Sequence, residues 1–153
     1  MSNNIDMSNT PEYGAGGLPV PLDTYGLRIM EEPKFETSKS SGNPMYVFKL
    51  EISKVPSGRD EALIGQIFTY YATLHDGAAR LKPLHKALGA PMSFEQHPDT
   101  GLPIGIEYKG REVAAKCVSE EAPKMKSDGV TPDLNIVTGK PIMVYKKDIK
   151  YFV

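Results

Sequence analysis

Two stretches of this sequence set aromatic rings beside basic side chains. Residues 45–52 (MYVFKLEI) offer Tyr46, Phe48 and Lys49, and residues 67–74 (IFTYYATL) offer Phe68, Tyr70 and Tyr71. Aromatic faces stack on any base, and each stacked base contributes about 1–3 kcal/mol. Lysine and arginine meet the phosphates that every strand carries. Further basic candidates are Lys39 in a turn, Lys54 and Arg59 in and beside a loop, Arg111 and Lys116 in one later alternating stretch, and Lys146 and Lys147 in another. Lys124 and Lys126 lie in a polar connection able to fold over a bound strand. Successive residues of a strand point to opposite faces. One of Tyr70 and Tyr71 therefore faces a core and the other faces outward. Phe68 shares the face of Tyr70, and Ile67 shares that of Tyr71.

Other chemistries find less support. The three histidines, His75, His85 and His97, have no paired spacing for a metal, and no HExxH or CxxC occurs. No GxxxxGK followed by Ser or Thr is present to cradle a phosphate. The glycines of residues 14–17 and 101–105 lack a strand before them and a helix after them. Cys117 lies in an alternating stretch and reads as a small core residue. No nucleophile–base pair or carboxylate pair stands out, and Asp128 and Asp133 are isolated. The expectation is a binding protein with no catalytic residues, no metal and no cofactor.

The elements that must position these residues read as strands. Residues 24–29 alternate, with Tyr25, Leu27 and Ile29 on one face, and this strand continues, bent, through Phe35. Residues 38–44 (SKSSGNP) form a turn with a residue suited to positive φ. Residues 45–52 make the second strand, with Tyr46, Phe48, Leu50 and Ile52 sharing a face. Residues 63–74 make the third, with Gly65 marking a bulge. The period then changes: Ala78, Leu81, Leu84 and Leu88 fall at helical spacing over residues 77–88, and Gly89 stops the helix. Residues 90–106 read as a loop, 110–120 as strand four, 122–139 as a long connection and 142–152 as strand five. Three strands, one short helix and two strands predict an all-β domain of the five-stranded OB-fold Greek-key barrel type, with the helix between strands 3 and 4. Residues 1–20 read as a flexible arm before a domain of residues 21–153.

Bulk properties bound the partners. The chain of 153 residues suits one domain plus a tail. Its formal net charge of −1 puts any nucleic-acid site in a local patch. From residue 109 onward nine basic and six acidic residues leave that third at +3, and the remainder at −4. With one cysteine, a polar start and no long apolar run, the expected location is the cytoplasm, away from membranes.

From residue 21 onward the chain resembles phage-encoded OB-fold single-stranded-DNA-binding proteins of replication and recombination clusters. The matching segments are residues 22–25 (LDTY), 38–45 (SKSSGNPM), 65–68 (GQIF), 79–89 (ARLKPLHKALG) and 108–113 (YKGREV). The resemblance implies coating of single-stranded DNA during phage replication or recombination, without a cofactor, alongside phage replication proteins. RNA binding and a homo-oligomer stay open. One departure is the ending, residues 147–153 (KDIKYFV), which is not the acidic tail that many single-strand binders use to recruit partners. The alternative expectation is a structural or assembly protein, such as a virion component, that uses the barrel to bind other proteins.

Overall fold

The computed structural model describes residues 18–123, 134, 136–140 and 143–153. Within them lie six strands: β1 (Asp23–Ile29), β2 (Lys34–Thr37), β3 (Pro44–Lys54), β4 (Ile67–Thr73), β5 (Glu112–Pro123) and β6 (Met143–Phe152). Between β4 and β5 come α1 (His75–Ala78), a single turn, and α2 (Leu81–Leu88). The class is all-β, and the helix occupies the expected slot.

The strands alternate as their period-2 pattern requires. Tyr25, Leu27 and Ile29 of β1, Tyr46, Phe48, Leu50 and Ile52 of β3, and Phe68 and Ala72 of β4 all point into one core. Val113, Ala115 and Cys117 of β5 and Ile149 of β6 join them. Full burial of each large apolar side chain contributes about 1.5–3 kcal/mol, so this shared face is what holds the sheet together.

All pairings are antiparallel. The sheet runs β2-β3-β1-β5-β6, with β4 on the other side of β3. The predicted bent first strand is two strands, so six replace the expected five. The cause is Pro33, a buried residue with no N–H to offer a ladder. Both segments still pair with β3: Ile29 lies opposite Leu50, and Lys34 opposite Val47. The two ends of the sheet, β4 and β6, approach one another. Tyr70 of β4 meets Phe152 of β6 edge to face, at 5.0 Å between ring centroids and 81° between planes.

Two boundaries differ from the sequence reading. The third long strand starts at Ile67 rather than residue 63. Asp60 caps a 3-10 turn over Glu61–Leu63 by accepting from Ala62 N, and this turn tucks Leu63 into the core. The helix starts at Leu81 rather than residue 77. Asp76 and Gly77 take left-handed conformations that no helix continues through. Pro83 then falls in the first turn, where a missing N–H costs no helical hydrogen bond. At the far end Gly89 is left-handed, and Ala90 N returns to the His85 carbonyl at 2.8 Å.

α2 covers one end of the core with Leu81, Leu84, His85 and Leu88. His85 is pinned on both nitrogens, by the Pro91 carbonyl at 2.7 Å and the Tyr108 hydroxyl at 2.7 Å. A carbonyl only accepts, so Nδ1 carries the proton, and in the neutral imidazole Nε2 accepts from Tyr108. The long loop after α2 is anchored by a second core tyrosine. Tyr46 donates to the Gly101 carbonyl at 2.6 Å and accepts from Gln96 at 2.8 Å.

The folded part reaches further back than residue 21. Val20 is buried, and its backbone exchanges hydrogen bonds with Ser119. Residues 1–17 of the predicted arm and most of the predicted connection, with Lys124 and Lys126, lie outside the described residues. No helix among those described is long and apolar enough to cross a membrane.

Candidate nucleic-acid interface

Residues opposed across a ladder share a face. Tyr71 lies opposite Val47, Lys49 opposite Thr69, and Lys34 on the far side of Val47. Phe68 and Ala72 face the core on β4, so Ile67, Thr69, Tyr71 and Thr73 form its outer row. Tyr71 is 50 % exposed, the outward ring of the adjacent pair. Tyr70 is half-buried, and its hydroxyl donates to the Arg80 carbonyl. Burial pushes the Tyr70 phenol above its ordinary range, so it stays a neutral donor.

Tyr71 sits at the floor of a cleft of about 880 Å³. The turn of residues 38–41, including Lys39, makes one wall, and His75 and Arg80 make the other. Met45 and Thr73 flank Tyr71 on the floor, and Glu36 stands among the lining residues. The turn is locally braced: Ser38 N donates to Asn43 O and Gly42 N to Ser38 O, both at 2.8 Å. Gly42 at φ 72 supplies the left-handed residue such a closure needs. The opposite wall follows from α1. Its left-handed Asp76, Gly77 and Ala78 turn the chain so that Arg80 returns over β4.

The charges in this cleft are unequal in availability. Lys39 and Arg80 make no ion pair among the described residues, nor does Lys49 on the neighbouring strand. His75 lies 3.3 Å from Asp76. A free ring flanked by free cations can stack a base and hold its phosphates.

The remaining candidates scatter. Tyr46 and Phe68 are 0 % exposed. They are core residues rather than stacking platforms, because their face of the sheet is the buried one. Arg59 pairs with Asp23 at 2.9 Å. The Asp23 carboxyl is held below its usual range by the Thr24 N–H and by Arg59. Lys54 lies 3.9 Å from Glu112. Arg111 donates to the Leu88 carbonyl at 2.5 Å and so caps α2. Lys147 is half-buried, which pushes its ammonium below the ordinary range. Lys146 is exposed on β6, and Lys116 stands across from exposed Tyr151 on the outside of the β5–β6 ladder. The structure thus brings together Lys39 and Tyr71, with Lys49 nearby on the same outer face, and leaves the others elsewhere.

Sequence spacing marks neither Arg80 nor His75 as part of a nucleic-acid site. Arg80 fell inside the helical pattern, and nothing in that period foretold that α1 would turn it towards β4. Among the described residues no group of His, Cys, Asp or Glu could hold a metal ion. Comparison with known protein families finds no matching family model, and comparison with curated proteins finds no matching sequence.

Proposed function

We propose that this chain is an OB-type barrel, with its seam between β4 and β6, that binds single-stranded DNA in the Tyr71 cleft. The observation that carries the reading is one exposed aromatic ring on the floor of an open cleft whose two walls present the unpaired cations Lys39 and Arg80. A base lies on Tyr71, and the phosphates to either side meet Lys39 and Arg80. Lys49 extends the basic surface along the outer face. The contacts are to ring faces and phosphates, so binding is tolerant of sequence and sensitive to salt. The segment resemblance supports a role in coating strands during phage replication or recombination.

A second reading, a protein-binding assembly module, is favoured by a different surface. Leu18, Ile64 and Ile67 are exposed around Gln66, whose side chain accepts from Leu18 N at 3.2 Å. Titration of a labelled oligo-dT strand by fluorescence anisotropy, at low and high salt and against duplex and oligo-rU controls, separates the two. Salt-sensitive binding that favours the single strand supports the first reading. No binding at low salt refutes it and turns attention to the Leu18 surface.

A further inference from the structure

The Tyr71 cleft does not end at Arg80. Tyr71 and Arg80 also line a second hollow of about 300 Å³, which lies over the seam beside Ile149 and Lys150. Ala79 and Pro83 line that hollow and also a third, about 650 Å³, on the outer face of α2. The shared residues set the three hollows side by side, a path from the turn of residues 38–41 to the helix.

The far end of the path has the chemistry of the near end. Lys82 and Lys86 stand one helical turn apart, on the same face of α2. Both are exposed and make no ion pair among the described residues. The small residues Ala79, Pro83 and Ala87 line the hollow beside them, with Phe152 and Val153. By contrast, Lys150 in the middle hollow is held by Asp148 at 3.1 Å and Glu120 at 3.5 Å. Those contacts, Asp148 foremost, hold its ammonium above the ordinary range and occupy it with carboxylate partners. The free cations of the path are therefore Lys39 and Arg80 at one end and Lys82 and Lys86 at the other.

We propose that a single strand bound at Tyr71 crosses the seam past Arg80 and continues onto α2, where Lys82 and Lys86 hold its phosphates as a second subsite. This rests on the single-strand reading above. It gives the outer face of the helix a binding role in addition to capping the core. The apolar wall at Phe152 and Val153 takes sugar and base edges, while the two lysines take adjacent phosphates.

The test compares the full chain with the double variant K82A/K86A on labelled oligo-dT of about 4 and about 16 nucleotides. Both lysines are solvent-facing, and alanine favours a helix, so the fold is retained and is checked by thermal melting. The double variant is expected to bind the longer strand about 5- to 30-fold more weakly. Its slope of log affinity against log salt should be shallower by about 1.4. Binding of the shorter strand stays at the wild-type level, and K82R/K86R restores the longer. Unchanged affinity and slope for the longer strand, with the wild type binding well, overturns the second subsite alone. No binding of either strand by the wild type overturns the single-strand reading itself.

Discussion

Replacing Tyr71 by alanine removes the one ring on the floor of the cleft. If a base stacks there, the loss is about 1–3 kcal/mol, a weakening of about 5- to 150-fold. The same change has a folding cost. A tyrosine offers about 150–250 Å² of surface, so about 100 Å² is covered at half exposure. At about 25 cal/mol per Å² that bounds the cost near ~2.5 kcal/mol, an upper figure because the unfolded chain is already partly compact. The two effects are separable. Tyr71→Phe keeps the ring and is expected to bind within about twofold of wild type. Phe68→Ala, two ladder positions from Tyr70 and fully buried, is expected to cost about 3–5 kcal/mol of stability. Its residual folded fraction should bind normally. Affinity is read by anisotropy on oligo-dT under conditions where thermal melting shows each variant folded. A folded Tyr71→Ala that binds as tightly as wild type refutes the assignment of Tyr71 as the stacking platform.

Three further outcomes follow from the packing. Gly101→Ala places a Cβ 2.5 Å from the Phe35 ring at a residue with φ +73, and should lower stability by about 1–3 kcal/mol in denaturant titration; an unchanged midpoint contradicts the seat of the long loop on Phe35. Tyr108→Phe leaves the buried His85 Nε2 without its partner, and should cost about 1–3 kcal/mol; no loss in chemical denaturation contradicts the Tyr108–His85 hydrogen bond. Burial pushes the Cys117 thiol up to about 12, so in native protein near neutral pH it should resist alkylation and react only on unfolding; rapid labelling of the native protein, read by mass spectrometry, contradicts its place in the core.

The strands were the legible part of the fold, because a period of two is a direct record of which side is buried. Tyr25, Leu27 and Ile29, and Tyr46 through Ile52 in alternation, announce their shared face by spacing alone. The same logic divided Tyr70 from Tyr71 and left only the choice of outward ring. It also argues against Tyr46 and Phe68 as platforms, since each shares a face with residues that fill the core. Less legible were places where one residue changes the period. Pro33 splits the first strand, Gly65 and the Asp60 cap shorten the third, and Asp76 and Gly77 delay the helix. On β6 a register shift opposite Lys116 and Cys117 turns Phe152 inward and Tyr151 outward. The cleft depends on such events. Its walls come from a turn and from α1, elements set by positive-φ residues rather than by apolar spacing, so the alternation that picks out Tyr71 leaves Arg80 unmarked.

The approach of β4 to β6 gives the sheet a weakest line. Elsewhere neighbouring strands are riveted by ladders of backbone hydrogen bonds; here the join described is Tyr70 against Phe152, with a hollow beside it. Side chains that pack without a ladder can part and re-close without breaking regular structure. Each strand at the join keeps a ladder on its other side, β4 to β3 and β6 to β5. A join of this kind behaves like a clasp: it can shift locally while β3, bonded along both sides, keeps its geometry. Local opening would therefore start at Phe152 and spread into β6 before it reached the strands that share β3, and the hollows on either side of the joint would widen first.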